Sequence, residues 1–169
     1  MSLWYPKIGQ FFMTSFSDAD YAGCRVNRKS TSGTCQFLDN CLVSWSSKKQ
    51  NSVALSAAEA KYVAAGASCV QVLWTKHTLL DYDLHYDHIQ IFCDNTTTTT
   101  HMTKNANQHS KIKHIDIRYH FLRDHYEKGD IEIDYVFTDF QLADIFTKPL
   151  DYNRFSFICG KLNVCIMDS

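Results

Sequence analysis

Apolar residues recur along this chain with two different periods, and the alternation between them lays out the elements. Phe11-Phe12-Met13-Thr14-Ser15-Phe16 is a short run of strand type, followed by a polar stretch from Gly23 to Gly33 that reads as loop. Thr34 to Leu38 and Cys41 to Trp45 are two further strands, and the Asp39-Asn40 pair between them is a two-residue hairpin signal. After the polar Ser46-Ser47-Lys48-Lys49-Gln50, the run Val53-Ala54-Leu55 leads into a helix from about Ser56 to Leu80. Ile89 to Cys93 and Ile131 to Val136 read as the fourth and fifth strands. Between them a weak helix follows Asp94. A stronger one covers Ile115 to Tyr126, where Ile115, Tyr119, Leu122 and Tyr126 recur at helical spacing. A last helical region covers Gln141 to Phe146, is stopped by Pro149, and resumes from Arg154 to Leu162. The order β-β-β-α-β-α-α-β-α predicts an α/β fold, a mixed sheet covered by helices. The threonine tract Thr96 to Thr100 should be weak or irregular, because branched side chains lose rotamer freedom in a helix.

Composition narrows the classes. A chain of 169 residues that is 45% hydrophobic can bury one sizeable core, so a single domain is expected over 1–169, with its core at about 11–150 and a C-terminal helix at about 152–163. The net charge of −1 supplies no global positive field, so any nucleic-acid contact must rest on local basic clusters. Seven scattered cysteines, several inside apolar runs, fit buried free thiols and a reducing compartment better than a disulfide framework. No signal-like start and no stretch of about 18 apolar residues is present, so the expectation is a soluble cytoplasmic or nuclear protein without a membrane partner.

The candidate chemistry lies in acids. Asp18 and Asp94 each close an apolar strand, and Asp144 sits near the end of the chain in Gln141-Leu142-Ala143-Asp144. Each alone is an ordinary turn residue or helix cap. Two strand-end acids in one mixed sheet, however, converge in space. Convergent carboxylates repel and call for a cation, and oxygen ligands suit Mg²⁺ or Mn²⁺. Two such ions about 3.5–4 Å apart can activate water and stabilise the leaving oxygen in phosphodiester hydrolysis.

Longer motifs sharpen this reading. Leu3-Trp4-Tyr5-Pro6-Lys7, Ser17-Asp18-Ala19-Asp20-Tyr21-Ala22-Gly23-Cys24, Arg28-Lys29-Ser30-Thr31-Ser32-Gly33, Val43-Ser44-Trp45-Ser46-Ser47-Lys48-Lys49-Gln50, Lys113-His114-Ile115-Asp116-Ile117-Arg118 and Asp144-Ile145-Phe146-Thr147-Lys148-Pro149-Leu150 resemble the ribonuclease H domain of copia-type retrotransposon polyproteins. The resemblance implies a ribonuclease H-like fold, a five-stranded mixed sheet flanked by helices. It also implies the parent activity, Mg²⁺-dependent cleavage of RNA in RNA–DNA hybrids. Such a domain ends a long polyprotein, whereas this chain opens with its own Met1, which suggests a solo, host-retained fragment.

By the same resemblance Asp18, Asp94 and Asp144 match three of the family's four metal ligands. The fourth falls within Ser56-Ala57-Ala58-Glu59-Ala60-Lys61-Tyr62, where the family has two glutamates two residues apart and this chain has only Glu59. Ser56 and Glu59 have the S-x-x-E form of a capping box, in which the acid reaches back to the cap's N–H, so Glu59 has a complete structural explanation. In the family the ligand glutamate is followed three residues later by a small core-facing alanine. Lys61 with Ala64 keeps that register, whereas Glu59 would put Tyr62 there. Residues two apart on a helix differ by roughly 200°, so one cannot replace the other. Lys61 is favoured as the lost ligand position. Glu59 acting with the three aspartates in an active nuclease is the alternative.

Other features have plainer readings. His109, His114, His120 and His125 match no zinc spacing and have no nearby cysteine partner, so they read as a solvated helix face. Lys48 and Lys49, and Lys111, Lys113, His114 and Arg118, form two basic patches able to contact phosphates. Trp45 and Trp74 read as core residues. Two function classes follow: a ribonuclease acting on RNA–DNA hybrids with Mg²⁺ or Mn²⁺, or a catalytically silent domain, a domesticated pseudoenzyme, retained to bind nucleic acid or a protein partner. The integrase branch of the same fold comes third, for want of a late glutamate motif.

Overall fold

The computed structural model describes residues 12–85, 89–96 and 113–164, without the side chains of 113–116 and 119. The Leu3–Lys7 motif, most of the threonine tract, the weak helix after Asp94, His109, Lys111 and Cys165 lie outside the described residues, as do the side chains of Lys113, His114, Ile115 and Tyr119.

Strand β1 spans Met13–Ala19, β2 Thr31–Leu38, β3 Cys41–Lys49, β4 Ile89–Cys93 and β5 Glu132–Tyr135, and they form one sheet in the order β3-β2-β1-β4-β5. The first three run antiparallel, and β1/β4 and β4/β5 are parallel, giving the expected five-stranded mixed sheet. Asp39, at φ 56°, turns the hairpin between β2 and β3 at the expected place. Three strands run past the apolar runs that foretold them. β1 continues from Phe16 to Ala19, β2 begins at Thr31, inside the stretch read as loop, and β3 continues to Lys49. The extension of β3 is a polar edge, largely exposed, so it carries no hydrophobic signal while its backbone still pairs with β2.

Helix α1 spans Ala57–Leu80, and its buried stripe of Ala60, Val63, Ala64, Ala65, Gly66, Ser68, Cys69 and Val72 lies on the sheet. The residues that meet it alternate along the strands: Met13, Ile89, Ile91, Cys93 and Ile133 all belong to this core. Each fully buried Ile here contributes about 1.5–3 kcal/mol. Helix α2, Lys113–Glu127, adds Leu122 to the same core and crosses α1 at Gly66. A Cβ on Gly66 would lie 3.5 Å from Arg118 Cβ, ordinary contact distance, so the two helices approach closely there.

On the opposite face, Cys35, Phe37 and Leu42 pack against Ala143, Ile158 and Leu162. These come from two short 3-10 turns, Thr138–Phe140 and Leu142–Phe146, and from helix α3, Tyr152–Lys161. Gly33 sets how close the second turn can lie. A Cβ there would stand 2.6 Å from Thr147 Cγ2 and 2.7 Å from the Ala143 carbonyl, so only glycine fits. Since Gly33 pairs with Asp18 across β1 and β2, this close approach carries Asp144 up to Asp18. Buried Gln141 fixes the same turn, donating to the Ser17 carbonyl at 3.1 Å and accepting from the Ala143 N–H.

Two expectations change and one holds. Trp45 and Trp74 are 53% and 63% exposed, not core: Trp45 lies on the edge strand and Trp74 on the outer side of α1. The Gln141–Phe146 helix is a 3-10 turn, five residues being too few for a stable α-helix. Of the cysteines, all six in the described residues are free thiols, five of them buried, as expected.

A candidate acidic centre neutralised by a lysine

Parallel pairing of β1 with β4 ends at Ser17 opposite Cys93, so the next residues, Asp18 and Asp94, project side by side from the sheet. Asp144 joins them from the turn over Gly33. One carboxylate oxygen from each lies within 4.8 Å of the others, and among the described residues this is the sole group of three or more side chains able to hold a metal.

Lys61 reaches into this group from the second turn of α1. Its Nζ stands 3.0 Å from Asp18 Oδ1 and 2.5 Å from Asp94 Oδ1. The Asp18 side chain is 1% exposed, that of Asp94 5% and that of Lys61 16%, so the contacts are shielded from water. Asp144 has its own cations: Lys148 Nζ at 2.9 Å and Arg154 Nη2 at 3.6 Å. Three negative charges therefore face three positive ones, and the centre is neutral without any ion.

The titration directions follow from this geometry. Burial pushes the Asp18 carboxyl upward, but the charge and hydrogen bond of Lys61, the Thr147 hydroxyl donating at 2.9 Å and the Lys148 charge outweigh it and leave it below its ordinary value. Burial likewise disfavours the Lys61 ammonium, and Asp18 with Asp94 more than offset it, holding the group charged above its ordinary range. Asp144 moves the other way. Its burial, with the Asp18 charge added, raises it despite Lys148.

Glu59 is elsewhere. Its N–H donates to Ser56 Oγ at 3.1 Å, and its carboxylate accepts from the Leu55 N–H. The acid thus bonds one residue before the cap, not the cap's own amide as a standard capping box would. Ser56 is extended, at φ −152°, and turns the preceding amide toward the helix. Glu59→Ala is expected to lower stability by about 1 kcal/mol, as a lost cap interaction does, and to leave the acidic centre unchanged. Denaturant unfolding with comparison of spectra around Asp18 checks both halves.

Of the five basic residues expected at nucleic acid, Lys48, Lys49 and Arg118 line one hollow of about 330 Å³ with Ser32, Gln50 and Val63. Lys49 also donates to Cys24 Sγ at 3.1 Å, and Arg118 to the Val63 carbonyl at 3.4 Å. The histidine series gathers no metal site among the described residues. His125 Nδ1 instead pairs with Asp130 at 2.8 Å. Sequence reasoning missed Lys148 and Arg154 as partners of Asp144. The i, i+4 spacing of Asp144 and Lys148 was the available signal for the first, and no spacing rule reaches Arg154.

Comparison with known proteins places this geometry. No protein-family model matches the chain. It is similar to the retrovirus-related Pol polyprotein from transposon TNT 1-94 of Nicotiana tabacum, 34% identical over 150 residues, which cover 89% of this chain and 11% of that protein. The Pol polyprotein from transposon RE1 of Arabidopsis thaliana is 36% identical over 151 residues, 89% of this chain and 10% of its own length. The chain thus spans about a tenth of these relatives. In structure it is similar to LC11-RNase H1 from compost, with a TM-score of 0.61 at 12% identity over 82% of this chain and 94% of that one; that protein is also known in complex with an RNA/DNA hybrid. The N-terminal RNase H domain of a Mycobacterium tuberculosis protein aligns at a TM-score of 0.59 and 11% identity, covering 89% of this chain and 98% of the other. The chain is related to the ribonuclease H region of retrovirus-related Pol polyproteins from plant transposons and has the ribonuclease H fold.

Proposed function

We propose that this domain binds RNA–DNA hybrids without cutting them, as a retrotransposon-derived ribonuclease H fold whose acidic centre is closed to divalent metal. One observation carries the reading: the Lys61 ammonium stands between Asp18 and Asp94 at 3.0 and 2.5 Å, where a metal bound by both would have to be. The residues present do not fit a divalent ion. Mg²⁺ about 4 Å from that ammonium would meet roughly 8 kcal/mol of repulsion at an effective dielectric near 20, in a centre with no net negative charge to offset it. The alternative nuclease using Glu59 loses support, because that carboxylate is held at the start of α1 by the Leu55 amide.

Binding of hybrid draws its support from the fold shared with LC11-RNase H1 and from the hollow lined by Lys48, Lys49 and Arg118. Three phosphate contacts there correspond to a slope of log K on log salt of roughly −2 to −3. The test is a labelled hybrid titrated with the unmodified chain in Mg²⁺ and in Mn²⁺. Expected is salt-sensitive retention of intact hybrid. Cleavage that Asp18→Asn abolishes would overturn the silent reading, and no retention at low salt would overturn the binding one.

A further inference from the structure

Among the described residues the cover on the sheet face opposite α1 is incomplete, and an open groove of about 250 Å³ remains between β1, β4 and α3, lined by Phe16, Phe92, Val136, Phe140, Phe157 and Lys161. Its floor is firm: the Phe16 and Phe92 rings lie 5.1 Å apart, and Phe16 also packs edge-on against Phe37 at 5.8 Å. Its lip is exposed aromatic surface, with Phe140 56% and Phe157 40% accessible. Aromatic side chains gathered at an open surface mark recognition sites more often than isolated exposed ones do.

Size and charge define the occupant. The volume lies below the ~300–1,000 Å³ usual for small-molecule pockets, and suits one large side chain entering from a partner. Lys161 is the charged residue of the lining; it stands over the Phe157 ring at 5.7 Å and makes no ion pair among the described residues. Nearby, Arg154 is bound to Asp144 and to the Thr138, Asp139 and Gln141 carbonyls, and Asp134, on the same sheet face, accepts from Gln90. In the transposon relatives the matched stretch is about a tenth of the protein and is joined to the other nine-tenths as polypeptide, so polypeptide is the ligand class argued for this face.

We propose that this groove docks a polypeptide segment presenting a large apolar side chain beside a carboxylate, the ring or branched chain entering between Phe92, Phe140 and Phe157 and the acid meeting Lys161. It adds a polypeptide contact to a domain read above as binding hybrid without cutting it, and it rests on that reading. The site adjoins the acidic centre yet does not share residues with it, since Phe16 and Phe92 precede Asp18 and Asp94 by two positions on the same strands.

The test is an NMR titration of the full chain with three capped hexapeptides: Glu-Glu-Phe-Leu-Glu-Glu, its Lys-for-Glu counterpart, and Glu-Glu-Ala-Ala-Glu-Glu. The acidic apolar peptide is expected to shift signals of Phe92, Val136, Phe140, Leu142 and Phe157 saturably, at least fivefold more tightly than either control. Lys161→Glu should remove that preference for the acidic peptide. Phe140→Ser should weaken binding at least fivefold, and both sites are exposed enough for the fold to survive the change. Shifts confined to another surface, or equal affinity for all three peptides, would overturn the proposal. So would occupation of the groove by a hybrid oligonucleotide in place of the peptide, or a concentration-dependent dimer that buries the same signals. Hybrid cleavage by the unmodified chain would sink the silent reading while leaving the outcome of this titration standing on its own.

Discussion

Lys61→Glu is expected to confer Mg²⁺-dependent cleavage of RNA–DNA hybrids on a chain proposed above to leave them intact. The substitution converts a neutral centre into one with four carboxylates facing Lys148 and Arg154, a net charge of −2 that one divalent ion balances. It also shortens the side chain, withdrawing the group now lodged between Asp18 and Asp94 and opening the space that an ion would take. The repulsion of roughly 8 kcal/mol against Mg²⁺ becomes an attraction of similar size, so ion affinity should rise by several orders of magnitude. A gel assay on a hybrid with labelled RNA strand reads this directly. Lys61→Gln is the informative control, since it removes the charge without restoring a carboxylate and should remain inactive. If Lys61→Glu stays inactive while it binds Mn²⁺, the defect lies beyond the missing ligand.

Lys61→Met should lower the stability of the protein by about 3–5 kcal/mol, the usual cost of removing one partner from a buried ion pair. At about 2–4 °C per kcal/mol for a domain of this size, the melting temperature should fall by roughly 10 °C. Asp18 and Asp94 would be left almost fully enclosed with their shared cation gone. Acid should relieve the variant, because protonating one carboxylate removes the repulsion. The unmodified protein should behave oppositely. Asp18, held below its ordinary 3.8, contributes stability that is present above that value and lost as pH falls through its folded-state value. Lys61, held above its ordinary 10.5, contributes stability that is full below that value and lost as pH rises through its folded-state value. The Asp18–Lys61 pair thus adds no slope between the two limits, Asp144, held above its ordinary 3.8, gives both proteins the same slight downward slope just above that value, and the Met variant slopes down more steeply from acid toward neutral pH. Thermal melts from pH 4 to pH 9 separate them; equal slopes in the two proteins would show that Lys61 is not the counter-ion.

Much of this arrangement was legible in the sequence, and the exceptions share a cause. The strand Ile89–Cys93, the Asp39-Asn40 turn and the Ser56 start of α1 all carry local signals, an apolar run, a turn pair and a cap, and each appears where those signals put it. The two-residue offset between Glu59 and Lys61 was decisive because helical geometry turns it into opposite destinations, one at the cap and one in the acidic centre. What escaped depended on partners distant in sequence. Thr31 to Gly33 belong to β2 because Asp18 and Lys49 pair beside them and Thr147 needs the space above Gly33, none of which a polar stretch announces. Trp45 and Trp74 misled for a related reason: bulk favours burial on average, but an edge strand and the outer side of a helix have no layer to bury them. Arg154, from a different element, joins Asp144 only once α3 folds back over the turn.

Divalent-ion uptake by the unmodified chain tests the central claim most directly. In an electron paramagnetic resonance titration, free Mn²⁺ gives its sharp signal and bound Mn²⁺ loses it. With Lys61 standing between Asp18 and Asp94, all added Mn²⁺ should stay free up to millimolar concentration, while Lys61→Glu should take up at least one equivalent. Stoichiometric Mn²⁺ binding by the unmodified chain, lost in Asp18→Asn, would contradict the account.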